Sequence, residues 1–280
     1  MNALLFYITL GLYVCATVAY LVYLAKPRQV LGQAAHWLVL SGFLAHCTFT
    51  LLRYFEAGHT PITNLHESLS FFSLAVVGVF IAFESKYHVS ILGSFVTPLA
   101  LMLMIASSIY PSAVPLLPPA LKSKWLFVHS TMAFISYAMF AVAFGAAIMY
   151  LIQQHFLKKK RLGPLYQKLP SLDVLDEINY RCMSFGFPLL TIAIITGAIW
   201  AETAWGTYWS WDPKETWSLI TWFIYAALLH GRLTTGWRGR RAAVLSIIGF
   251  FVLLFTFLGV NLLPSESQHS YQRLLGGADK

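Results

Sequence analysis

Charge is what this chain has least of. Asp, Glu, Lys and Arg make up 11% of its 280 residues and hydrophobic residues 58%, whereas soluble domains carry about 25% charged residues. That scarcity excludes a soluble domain and makes the chain an integral membrane protein. Cysteine is almost absent too. Cys15, Cys47 and Cys182 fall in apolar runs or at an inner helix end, and no CxxC pair exists. A disulfide framework, a thiol-exchange role and a Cys-based zinc site are disfavoured, and without CxxCH the chain is not itself a c-type cytochrome. It has no GxxxxGK[ST] and no GxGxxG after a strand, which disfavours energy-coupled transport by this chain alone. No internal repeat is evident. The net charge of +8 is scattered over short connections, so no nucleic-acid partner is expected.

What is present is a series of apolar runs, each near the ~20 residues that a bilayer requires. They predict an all-α, polytopic membrane protein of about eight helices, at roughly 4–25, 33–52, 67–83, 91–109, 129–152, 183–202, 214–232 and 242–262. The third is the shortest. Placing the N-terminus outside gathers thirteen of the nineteen basic residues on inner connections, among them Lys26, Arg28, Lys86, Lys158 to Arg161, Lys168 and Arg238. By the positive-inside rule both termini and the long Trp-rich connection then face away from the cytoplasm. The first helix lacks the charged leader and small-residue cleavage site of a signal peptide, and is expected to be retained. The chain is expected to form one transmembrane domain over 1–280, with an aromatic loop at 200–217 and an external tail at 263–280.

That loop dominates the sequence. Six of the nine tryptophans lie between Trp200 and Trp222. Within it, Asp212-Pro213-Lys214-Glu215 has the pattern of a capped helix start: Asp as cap, Pro at the first helical position, Glu three residues on. An apolar run follows to His230, about 26 Å away along a helix. The plain reading is an interfacial aromatic belt. Belts, however, spread their rings over many helix ends. The topology puts His129, His269 and this loop at the same outer surface although they are far apart in the chain. Two histidines flanking an aromatic platform suit bis-imidazole ligation of haem iron. Three unrelated interfacial features remain the alternative at this point. His36 and His46, about 15 Å apart along one helix, cannot clamp one metal. His59 and His66 lie in the first external loop.

Trp205-Gly-Thr-Tyr208-Trp209-Ser-Trp211-Asp212-Pro-Lys-Glu-Thr-Trp217 resembles the tryptophan-rich WWD signature of haem-handling membrane proteins. The continuation through Trp222, Tyr225 and Leu229-His230-Gly-Arg232 resembles the CcsA/ResC family of System II cytochrome c assembly. Asn64, Glu67-Ser68, His129 and His269-Ser270-Tyr271 also fit, so the resemblance spans about residues 60 to 272. It implies that haem b is bound, presented at the outer surface and joined to CxxCH apocytochrome c with a CcsB/ResB-type partner. The chain would then be a component of a holocytochrome c synthase of the haem lyase type. It also implies a thioredoxin-like thiol reductant, and a bacterial inner (plasma) or thylakoid membrane. Carried over by position, His129 and His269 are the external axial ligands, and His230 is a transient intramembrane iron ligand. Trp205, Tyr208, Trp209, Trp211, Asp212 and Trp217 belong to the haem-binding loop, with Asp212 capping the helix rather than acting as a base. The family's second intramembrane histidine comes from the partner; His36, at a depth comparable to His230, is a candidate substitute. His66 departs from the family pattern, which has an aromatic there. The competing readings are a haem exporter or chaperone without synthase activity, a membrane b-type electron-transfer cytochrome, and a regulatory relative of the family.

Overall fold

The computed structural model describes residues 2–113, 119–160, 163–260 and 267. The described residues form an all-helical bundle. Its elements are α1 (Asn2–Ala25), α2 (Gln29–Ala57), α3 (Leu65–Tyr87), α4 (Gly93–Ile109), α5 (Lys124–Lys158), a short α6 (Pro164–Lys168), α7 (Leu172–Trp205), α8 (Pro213–Thr234) and α9 (Arg240–Leu254). Short 3-10 turns precede α4 and α5, and a π-helical turn at Phe255–Gly259 extends α9. Every expected helix is present. The main differences lie around the long connection between α5 and α7, where these two helices run further than their apolar cores and absorb most of the polar residues. Of the eight long helices, seven have the length and apolarity to cross a membrane. α8 is less apolar than the others, because its first turn carries Lys214 and Glu215 and its last turn Arg232.

Local signals in the sequence set the ends. Asn64 caps α3 by accepting from the Glu67 backbone N–H at 2.9 Å. Gly58 and Gly206, at φ 70° and 80°, close α2 and α7 in the left-handed conformation that glycine adopts without strain. The most intimate pairing is α5 against α7, with α1 on α2 and α3 on α4 next. Small residues allow the close approach: a Cβ at Gly186 would lie 2.9 Å from the Phe140 ring. Without a hydrophobic driving force between helices in lipid, such small-residue contacts are what hold a bundle together.

Two ion pairs staple opposite ends. At the end bearing the α2–α3 connection, Arg53 and Glu67 pair at 2.8 Å with almost no exposure. The second Glu67 oxygen accepts from the Thr63 backbone N–H and hydroxyl. At the other end, Arg232 of α8 pairs with Asp176 of α7 at 2.7 Å. Asp176 also accepts from the Gly239 N–H, and Arg232 lies 4.4 Å over the Tyr180 ring. Helix connectivity places the α7–α8 turn, the α2–α3 connection and the start of α5 at one end of the bundle. His36, near the start of α2, and His230, near the end of α8, lie towards the other.

Candidate functional site

The aromatic loop is held by two carboxylates at one helix N-terminus. Asp212 caps α8 by accepting from Lys214 N–H at 2.8 Å, and Pro213 occupies the first helical position. Glu215 reaches back so that one oxygen accepts from the backbone N–H of Ser210 (2.8 Å) and of Asp212 (3.2 Å). This reciprocal capping box satisfies donors that a helix start leaves open and puts negative charge where the helix dipole favours it. Both carboxylates are buried. Trp211, just before Asp212, sits at φ 59°, a region that favours glycine. Such a conformation costs of order 1–3 kcal/mol and persists only where surroundings enforce it. The Ser267 hydroxyl, buried, donates to Asp212 Oδ1 at 2.8 Å, so the chain after α9 returns to the cap of α8.

Beside this loop, α5, α7 and α8 flank a narrow cleft of about 60 Å³, partly open to the surface. Its lining includes His129 and Tyr137 of α5, Gly197 of α7, Tyr208 and Trp209 of the loop, and Lys214 of α8. His129 Nδ1 lies 2.7 Å from the Ala193 carbonyl. A carbonyl can only accept, so Nδ1 carries a proton and donates it there, the bond that fixes the tautomer of a ligating histidine. The ring stacks on Trp200 at 6.3 Å and 15°, and Trp200 is edge-on to Trp205 at 4.9 Å. A Cβ at Gly197 would fall 2.6 Å from His129 Nδ1. Only glycine leaves the imidazole that berth.

The loop residues expected from the sequence divide by role. Tyr208 and Trp209 line the cleft directly. Trp211, 69% exposed, stands perpendicular to Trp209 at 5.8 Å between ring centres. Trp205 supports Trp200, Asp212 fixes the backbone, and Trp217 packs on Phe255 of the π-helical turn at 4.5 Å. His129 lies in the second turn of α5, which starts at Lys124 rather than at His129. His230 is near the far end of α8 and is exposed, so the structure does not bring it to the cleft. His269 lies outside the described residues. Among the other histidines, His46 is fully buried between the Tyr13 hydroxyl and Ser70, and His66 is buried with Nδ1 2.9 Å from the Ser107 carbonyl. Both have the surroundings of core histidines. His59 Nδ1 meets the Thr60 carbonyl at 3.1 Å.

Sequence reasoning missed Tyr137, Gly197 and Lys214 as lining residues. A signal existed for the first: 129, 133 and 137 share one helix face at four-residue spacing. Gly197 needs the partner helix to be in place before its significance shows.

The residues fit a haem. A histidine with its tautomer fixed suits one axial position, flanking aromatic rings suit a macrocycle, and Lys214 offers positive charge for an acidic substituent. Among the described residues no three His, Cys, Asp or Glu side chains converge as a bare metal ion would need.

A helical membrane bundle with a capped tryptophan loop over a histidine-bearing cleft is the architecture of a cytochrome c assembly protein. The family model described as Cytochrome C assembly protein matches residues 62–266, and the chain belongs to that family. It is 41% identical to the cytochrome c biogenesis protein CcsA of Guillardia theta, over 82% of this chain and 84% of that protein. It is 36% identical to CcsA of Synechocystis sp., covering 90% and 92%. Among solved structures, the cytochrome c haem lyase CcmF superposes with a TM-score of 0.67 at 17% identity, over 99% of this chain. The chain spans about half (48%) of CcmF, and at that identity the likeness speaks for the fold. The chain's function is cytochrome c biogenesis.

Proposed function

We propose that this chain binds haem b in the cleft below the WWD loop, presents it on the non-cytoplasmic face and promotes its attachment to CxxCH apocytochrome c. The observation that carries this is His129, held by Ala193, Gly197 and Trp200 in the wall of a cleft that Tyr208 and Trp209 also line. His129 is one axial ligand and His269 the other. Ser267, two positions earlier in sequence, is bonded to the loop's Asp212, which ties the tail to the site. Lys214 would offer positive charge to a bound haem's acidic groups, and the exposed rings of Tyr208 and Trp211 would offer it apolar surface. Thioether formation adds a cysteine S–H across a haem vinyl group, the sulfur to one carbon and the proton to the other. It consumes no oxidant, and positioning supplies much of its rate. The residues here bind and orient, and none is needed as a catalytic base.

The partners that fit are a CcsB/ResB-type membrane subunit and a thioredoxin-like reductant that keeps the CxxCH thiols reduced. Basic residues on the connections opposite the WWD loop support the orientation, and His230, exposed on α8 towards that side, is the transient ligand on the inward path. The chain thus acts as one component of a holocytochrome c synthase, within a single domain spanning 1–280. The test is co-expression with an apocytochrome c and the partner subunit, followed by denaturing gels stained for haem. Covalent haem on the cytochrome that disappears with His129→Ala supports synthase function. Haem bound by the chain with none attached, under reducing conditions and with the partner present, reduces the role to export or chaperoning.

A further inference from the structure

The end of the bundle opposite the WWD loop holds a larger hollow, and the fold leaves several of its polar groups unused. It measures about 810 Å³, opens to the surface, and lies where α5, the start of α7, the end of α8 and the α8–α9 turn meet. Tyr150 of α5 lines it and is only 9% exposed, yet its hydroxyl has no hydrogen-bond partner among the described residues. That oxygen is not among the fully enclosed unpaired atoms, so it faces the hollow. A largely buried hydroxyl left unpaired is costly unless something from outside binds it. Gly239, at φ 66°, brings the turn close to this hydroxyl: a Cβ there would fall 2.6 Å from Tyr150 Oη. Other groups in the wall are already paired. Arg232 and Asp176 hold each other, Asp176 also accepts from Gly239 N–H, and Glu177 pairs with Arg181. Asp173 and Arg238, both exposed at the rim, have no ion pair or hydrogen bond among the described residues.

An occupant of this hollow has to carry charge of both signs. A bare anion would meet Asp173, Asp176 and Glu177, and a bare cation would meet Arg232 and Arg238. Among the described residues no three His, Cys, Asp or Glu side chains converge as a metal ion would need. Position then selects a lipid. The hollow lies at the ends of α5 and α7, both long and apolar enough to cross a membrane, and Leu233 beside it is 71% exposed. Trp237, Arg240 and Arg241, from the same turn and the start of α9, line a further hollow of about 560 Å³ with Val244 and Leu245. Tryptophan and arginine at the end of apolar helices are the residues that meet phospholipid headgroups. We propose that the larger hollow binds the headgroup of a zwitterionic, primary-amine phospholipid, the chemistry of phosphatidylethanolamine. Arg238 takes the phosphate, Asp173 the ammonium, and Tyr150 donates its hydroxyl to a phosphate oxygen. The acyl chains leave along Leu233. An ammonium with N–H bonds makes a charge-assisted hydrogen bond to Asp173 that a trimethylated one cannot. The bound lipid bridges α5, α7 and the α8–α9 turn.

No haem takes part, so this site and the WWD cleft are tested apart. The full chain is purified with its membrane partner and stripped of co-purifying lipid. It is then titrated with phosphatidylethanolamine, phosphatidylcholine and phosphatidylglycerol of identical acyl chains, and bound lipid is read by native mass spectrometry. Wild type is compared with Tyr150→Phe, Asp173→Asn, Arg238→Gln and, as a control at the end of α3, Lys86→Gln. Asp173 and Arg238 are exposed and phenylalanine keeps the Tyr150 ring, so the variants stay folded. Phosphatidylethanolamine is expected to bind wild type and Lys86→Gln about tenfold tighter than the other two lipids, the worth of one hydrogen bond to a charged group. Asp173→Asn is expected to erase the preference over phosphatidylcholine. Arg238→Gln and Tyr150→Phe are each expected to weaken phosphatidylethanolamine about tenfold. Equal binding of the three lipids, or phosphatidylethanolamine binding unchanged in all three variants, leaves only unspecific boundary lipid and overturns the proposal. A preference for phosphatidylglycerol that Arg238→Gln removes and Asp173→Asn does not makes the hollow an anion site, which overturns it too. Soluble glycerophosphoethanolamine that binds as tightly as the lipid would overturn the membrane as its source.

Discussion

At the residue scale, the account turns on how tightly a single imidazole is held. His129 depends on a neighbour with no side chain, because a Cβ at Gly197 would sit 2.6 Å from Nδ1. Gly197→Ala is therefore expected to leave the helices folded, as judged by far-UV circular dichroism, while converting the haem spectrum from low spin to high spin. An unchanged spectrum would show that the ring does not need that berth. Trp211 makes the opposite prediction. Its left-handed backbone is strained and its ring exposed, so Trp211→Gly is expected to keep or raise thermal stability by up to about 1–3 kcal/mol while weakening haem retention in a dilution assay. Of these two features only the ring was legible in sequence. Backbone strain at Trp211 and the missing Cβ at Gly197 act through neighbours that spacing along the chain does not reveal.

At the element scale, the start of α8 carries the functional loop, and its capping was readable from Asp212-Pro213-Lys214-Glu215. The sequence pattern did not show that Glu215 also receives the Ser210 N–H, or that Ser267 returns to Asp212. Those bonds depend on tertiary folding. Asp212→Ala is expected to cost about 1 kcal/mol for the cap and to release the tail at Ser267, giving a protease-sensitive C-terminus in limited digestion. An equally resistant tail would contradict the anchoring role. The pair of Arg53 and Glu67 behaves differently. Removing one partner leaves a buried charge, so Glu67→Ala is expected to destabilise by about 3–5 kcal/mol, seen as loss of monodisperse protein in detergent. Helix ends were blurred for a physical reason as well. α5 and α7 extend past the apolar stretch because they pair with each other beyond it, whereas hydropathy registers only the part that suits lipid.

At the scale of the whole molecule, the all-helical membrane class followed directly from scarce charge and separated apolar runs. The weak point was α8, whose charged ends dilute its hydropathy although it takes its place in the bundle. A shared end of the bundle for His129 and the loop followed from counting helices, and the Ser267–Asp212 bond brings residue 267 to that same end. Orientation can be checked on intact cells. Cysteine at exposed Lys122, at the start of α5, is expected to react with an impermeant maleimide, and cysteine at exposed Lys159 only after lysis. The reverse pattern would invert the topology. The most direct test of the central claim is the absorption spectrum of the purified protein with its membrane partner, comparing wild type with the His129→Ala/His269→Ala double variant. Low-spin, bis-histidine haem that is lost or turned high spin in the combined variant, and restored by added imidazole, is the predicted result. An identical low-spin spectrum in the combined variant would contradict axial ligation at the WWD site.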